Sequence, residues 1–179
     1  DDGSGVSTLA ALQTLANNVN DAPINTVPSA LTVNEDTDLV ITGLSVADAD
    51  IAATDTLSIT LSVSHGAITV AAATGVTQTG TPAALTLTGT LADINAALAA
   101  SNGVVYRGNS NYNGSDTLTV TSNDAGHTGT DGIKTDVDTV AITVTPIPDI
   151  TSIVLSATGA QNNTLTVGDV VTVTVDMTE

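Results

Sequence analysis

The sequence predicts an all-β protein: a Greek-key β-sandwich with one short helix and partial modules on either side. Three observations predict it. Runs of Val, Thr, Ile and Leu alternate apolar with polar at period two, as strands do with one face on a core and one in water. Turn-forming Asn, Asp, Gly and Pro punctuate the runs at short intervals. Acidic clusters stand at the run ends: Asn20-Asp21-Ala22-Pro23, Asn34-Glu35-Asp36, Asp48-Ala49-Asp50, Asn123-Asp124 and Asp136-Val137-Asp138.

Residues 1–19 open on a Gly-rich turn. Leu9, Leu12 and Leu15 then recur at helical spacing behind Ser7 or Thr8 as N-cap, which reads as the tail of a preceding repeat. Residues 20–23 are a polar linker ended by proline, and 24–146 form the main sandwich. Its strands are expected at 27–33, 38–42, 55–63, 67–72, 84–89, 103–107, 116–122 and 138–145. Leu57, Ile59, Leu61 and Val63 alternate with Ser58, Thr60 and Ser62, and Val140, Ile142 and Val144 alternate with threonines and Ala141. Outward threonine is β-branched and polar, which suits a half-exposed strand. One helix interrupts: Thr90 caps it, Asp93 falls at its third position, Leu91, Ile94 and Leu98 make an apolar stripe, and Gly103 lies past its end. Residues 147–149 form a second, proline-flanked linker, and 150–179 begin a further all-β module too short to close a sandwich alone. That piece is expected to dock on a neighbour or to self-associate through its orphan strands.

The net charge of −17 comes from 19 acids against Lys134 and Arg107 alone. It argues against nucleic acid, which needs a basic patch, and against anionic membranes. Glu35 and Glu179 are the only glutamates. Aspartate is short and bonds its own backbone in turns, so an Asp-dominated chain suggests loops built around ions. Cysteine is absent, which removes disulfides and thiolate metal sites. His65 and His127 are too few for a zinc site. Without Phe or Trp the core must be aliphatic, and its stability margin thin. No run of 18 apolar residues exists that could cross a membrane as a helix. No signal peptide is visible at Asp1, and the chain reads as cut from a longer protein.

Up-and-down strands sort the clusters to two ends. The incoming end gathers Asp21, Asp48, Asp50, Asp124, Asp136 and Asp138, with Asn20 and Asn123 as neutral oxygen donors. The outgoing end has Glu35, Asp36, Asp149 and Asp116 as a weaker set. Two carboxylates about 4 Å apart in water repel by ~1 kcal/mol, and more when desolvated. A hard cation taking six to eight oxygens reverses that sign, so Ca²⁺ is the expected cofactor. The competing reading is that these aspartates are turn residues and caps. No EF-hand loop is present, so the sites would be assembled from several loops.

Val33-Asn34-Glu35-Asp36-Thr37, Val46-Ala47-Asp48-Ala49-Asp50, Leu61-Ser62-Val63-Ser64-His65-Gly66, Gly89–Leu98 and Asn111–Leu118 together resemble the tandem cadherin-like repeats of giant bacterial surface adhesins, the type-I-secreted RTX adhesins among them. Asn20-Asp21-Ala22-Pro23 is similar to their inter-repeat linker, whereas Pro146-Ile147-Pro148-Asp149 departs from it. Residues 150–179 resemble the start of a bacterial Ig-like repeat. The resemblance implies a cadherin/Ig-like sandwich that is secreted to the cell surface. It implies calcium-dependent stiffening of a fibre used in cell adhesion and biofilm formation, with neighbouring repeats as partners.

No enzyme is expected. There is no nucleophile elbow, no phosphate-cradling loop and no aromatic-lined cleft. His65 before Gly66 reads as a turn residue, and Tyr106 and Tyr112 as core or corner residues. The leading expectation is a structural extender repeat. The alternative is a glycan- or cell-surface-binding module, with the Gly/Thr-rich segment 125–135 as its candidate loop.

Overall fold

The computed structural model describes residues 19–127, 131–158 and 165–178. The helix expected around Leu9–Leu15 lies outside them. The chain divides into two compact units, one up to Thr145 and one from Pro146.

In the first unit the strands are β1 (Ile24–Thr26), β2 (Leu31–Asn34), β3 (Asp38–Ile41), β4 (Ser45–Ala47), β5 (Thr56–Ser62), β6 (Gly66–Val70), β7 (Thr77–Thr81), β8 (Ala84–Thr90), β9 (Val104–Gly108), β10 (Gly114–Asn123) and β11 (Thr135–Thr145). The single helix among the described residues, α1 (Leu91–Ala99), lies between β8 and β9. One layer is six-stranded, in the order β2-β11-β10-β5-β8-β7; the other holds β3-β9-β6 and the separate pair β1-β4. All pairings are antiparallel except β2 with β11. The described residues of this unit form an all-β sandwich with one short helix.

The period-two pattern is what packs it. Leu57, Ile59 and Leu61 point inward from β5, while Ser58, Thr60 and Ser62 line the opposite face half-exposed. Leu118 and Val120 from β10, and Val140, Ile142 and Val144 from β11, continue the same buried surface. Ile41, Ile68, Val70, Val104 and Tyr106 meet it from the other layer. Each such aliphatic side chain, fully buried, contributes about 1.5–3 kcal/mol before conformational entropy is subtracted. Helix α1 begins where Thr90 Oγ1 accepts the Asp93 N–H at 3.2 Å, and it buries Ile94, Ala97 and Leu98 against the sandwich.

Three strands stand where none was expected. β1 lies ahead of the strand expected at 27–33; it is a separate three-residue strand between Pro23 and Pro28 whose only buried residue is the polar Asn25. β4 has one inward apolar residue, Val46. β7 has no buried residue and exists because it pairs with β8. A hydrophobic period cannot announce strands this short or this polar.

Two sheet edges are closed by side-chain amides. Asn95 of α1 accepts from Val46 N–H at 2.9 Å and donates to Val46 C=O at 2.8 Å, which is what a neighbouring strand would do for β4. Gln78 Nε2 donates to the carbonyls of Val70 and Ala71 at 3.1 and 3.3 Å, covering the end of β6.

The second unit contains β12 (Asp149–Thr158) paired antiparallel with β13 (Val170–Thr178).

Candidate metal centre

The acids of the incoming end are drawn together by the way β10 runs out and β11 begins. Opposite pairs there are Val120 with Asp138 and Ser122 with Asp136. Ser122 and Asp124 continue the inward register of Leu118 and Val120, and Asp136 and Asp138 continue that of Val140 and Ile142. Strand β1 lies against both β10 and β11 and brings in Asn25. The pairing of Ile24 with Ala47 sets Asp48 just beyond that pair.

Hydrogen bonds tie these groups across long stretches of chain. Asn20 Nδ2 donates to Asp124 Oδ2 and to the Gly132 carbonyl, both at 2.6 Å. Asp21 N–H donates to Asp50 Oδ2 at 3.2 Å. Asn25 N–H donates to Asp136 Oδ2 at 2.7 Å, and its Nδ2 donates to Val120 C=O at 3.4 Å. Asp48 Oδ1 accepts the N–H groups of Asp50 and Ile51 at 3.2 and 3.1 Å. Burial, and next the neighbouring Asp50 carboxyl, push the Asp48 pKa above the usual carboxylate range. Asp124 is buried, its Oδ1 holding the N–H groups of Gly126 and Lys134. Asn123 serves its own turn, accepting the Ala125 N–H at 2.8 Å.

Among the described residues three side-chain oxygens are buried without a hydrogen-bond partner: Asn25 Oδ1, Asp48 Oδ2 and Ser122 Oγ. Asn25 is 8% exposed and Ser122 is 0% exposed. A buried polar group left unpaired costs about 1–3 kcal/mol. Neutral and anionic oxygens orphaned beside Asp136 and Asp48 are the donor chemistry of a hard, oxygen-liganded cation. Among the described residues no three acidic or imidazole side chains already converge as a metal-holding group. Several carboxylates are instead turned onto backbone N–H groups, so a cation would have to compete for them. Asn25 and Ser122 were absent from the residues expected here. Ser122 was findable, as a hydroxyl falling on the inward phase of β10.

The outgoing set does not act as one group. Asp116 is a correction: it is 4% exposed, and its four acceptor positions are occupied. Oδ1 takes the N–H of Ser64 and of Thr117, at 3.0 and 2.8 Å. Oδ2 takes the N–H of His65 and the hydroxyl of Tyr106, both at 3.0 Å. Burial pushes its pKa up, but these four donors outweigh burial and hold it below the usual range. It is a structural anchor with no lone pair to offer an ion. The His65 ring lies flat on Tyr112, centroids 4.5 Å apart, which fits a turn residue. Glu35 is buried and accepts from Asn113 Nδ2 at 3.3 Å, and Asp36 turns the chain at φ 57°. The side chain of Asp149 lies outside the described residues. Arg107 pairs with Asp38 at 2.9 Å on the surface, for little energy.

No family model matches this chain, and no curated protein matches it significantly. A solved structure similar to it is a cohesin module from a Clostridium perfringens family 33 glycoside hydrolase. The TM-score is 0.41 at 8% identity, covering 72% of this chain and 98% of that one. The fold defines a β-sandwich module; its role is argued from the incoming end.

Proposed function

We propose that the first unit is a calcium-stabilised structural module, an extender repeat of a secreted bacterial surface adhesin serving attachment and biofilm formation. The observation that carries the calcium reading is the set of partnerless buried oxygens, Asn25 Oδ1, Asp48 Oδ2 and Ser122 Oγ, at an end rich in carboxylates. Asp21, Asp48, Asp50, Asp136 and Asp138 would supply the anionic oxygens, and Asn20, Asn25 and Ser122 the neutral ones. Asp124 would hold Asn20 and the 124–134 loop in place behind them. The adhesin context rests on the motif resemblance and on the acidic, cysteine-free composition.

In this reading the cation replaces repulsion among carboxylates with attraction, and it ties the Asn20–Pro23 linker to the sandwich. Linker and domain then move as one body. Extracellular calcium modules bind with dissociation constants of ~10⁻⁴–10⁻³ M. A ten-fold excess over that adds about 1.4 kcal/mol per site.

Thermal unfolding in EDTA, in millimolar Ca²⁺ and in millimolar Mg²⁺ tests this. A rise of about 3–8 °C per site, specific to Ca²⁺, is expected. No shift would leave the aspartates as turn chemistry, and glycan-array binding by the same protein would then decide for a surface-binding module.

A further inference from the structure

The chain holds two Asn-Gly pairs, Asn102-Gly103 and Asn113-Gly114. Such a pair is open to attack by a backbone amide on the preceding side chain, because glycine puts no Cβ in the way of the approach. The structure treats the two pairs differently. The peptide at Gly103 is fixed on both sides: its N–H donates to the Ala100 carbonyl at 2.8 Å, and its carbonyl accepts from the Ala71 N–H at 3.0 Å. Gly103 is buried, and a Cβ there would collide with the Ala97 carbonyl. The second pair stands between β9 and β10, with Asn113 and Gly114 both exposed. Gly114 holds φ 137°, and a Cβ there would meet the Tyr112 hydroxyl at 3.2 Å. Asn113 Nδ2 donates to Glu35 Oε2 at 3.3 Å, and Glu35 is 8% exposed.

We propose that Asn113 is a self-modification site, at which the folded chain deamidates and loses its amide contact with Glu35. The Gly114 nitrogen, its proton passed to hydroxide, bonds to Asn113 Cγ. The Cγ–Nδ2 bond breaks, and the nitrogen leaves as ammonia after taking a proton from water. Water then opens the cyclic imide at either carbonyl. One opening gives aspartate at position 113. The other gives isoaspartate, in which the main chain runs through the side-chain carbon. Both products remove the Nδ2 donor from Glu35 and add a negative charge to a corner that already holds Glu35 and Asp36. Isoaspartate also lengthens the main chain just ahead of Gly114, where β10 enters register opposite Val144. Conversion therefore weakens the contact between the turn after β2 and the entry to β10.

Peptide mapping by mass spectrometry tests this, on the full chain held at mildly alkaline pH both folded and in urea. In urea the two pairs should convert at similar rates, because each asparagine is followed by glycine. In the folded protein Asn113 should convert about five-fold faster than Asn102 or more, five-fold being the factor that one retained backbone hydrogen bond at Gly103 supplies. The converted protein should melt at a lower temperature than the parent, and Asn113→Asp should reproduce the loss for the aspartate product. No conversion at Asn113 in the folded protein, equal rates at the two sites, or faster conversion at Asn102 would overturn the proposal. Unchanged melting of both the converted protein and Asn113→Asp would equally overturn it, because the amide contact with Glu35 would then hold nothing together.

Discussion

Asp116 holds the His65 turn to β10 with its charge, and its energetics follow from that. Unfolded aspartate titrates near ~3.9, and the folded group lies lower. The folded state therefore binds this proton less readily than the unfolded chain. The stabilisation is complete above about pH 4 and is lost as pH falls through the folded value. Asp116→Asn should cost about 2–4 kcal/mol at pH 7, because hydrogen bonds to a charge are worth ~1.5–3 and donors are left unpaired. Urea unfolding at several pH values checks this: the gap to the parent should narrow below about pH 4, and a pH-independent gap would refute the account. Asp48 has the opposite character, since its pKa is raised and its Oδ2 is buried without a hydrogen-bond partner. Asp48→Asn should raise the melting temperature in EDTA and shrink the calcium-induced shift. A variant destabilised in EDTA would show that the Asp50 and Ile51 N–H groups held by Oδ1 outweigh the cost of the unpaired Oδ2.

At the scale of elements, close approach and edge closure decide what the strands tolerate. Gly66 opens β6 beneath the Tyr106 ring. A Cβ there would sit 2.5 Å from Tyr106 Cε2 and 2.6 Å from the Arg107 carbonyl. Gly66→Ala should cost about 1–3 kcal/mol by overpacking, read as a lower urea midpoint with unchanged slope. Asn95 replaces a missing strand along β4, so Asn95→Ala should speed hydrogen exchange at the Val46 amide while leaving β5 and β10 protected. Uniform exchange would mean that β4 is held by β1 alone. Legibility at this scale followed apolar content. β5, β8, β10 and β11 carry three or more residues of clear alternation or lie next to such strands, and their cores were readable. β1, β4 and β7 carry one inward residue or none. Their existence depends on a partner strand that local sequence does not name.

For the whole molecule the governing quantity is charge against a thin aliphatic core. With 19 acids and two bases, the metal-free chain repels itself. Added sodium chloride should raise the EDTA melting temperature through screening, and saturation with Ca²⁺ should reduce that salt effect. An equal salt effect in both states would place the repulsion away from the incoming end.

The chain's own sequence determined the β class, the inward set of the long strands and the Thr90-capped helix. Those features follow from periods and turn residues, which are local. Only the tertiary structure decided that Asp116 is a saturated anchor and that Asn25 and Ser122 hold orphaned oxygens beside the acids. Whether a carboxylate faces an ion or a backbone N–H depends on which donors distant strands bring within about 3 Å of it. Ser64 and His65 reach Asp116 from the turn between β5 and β6, and Tyr106 from β9, a convergence that no spacing along the chain encodes.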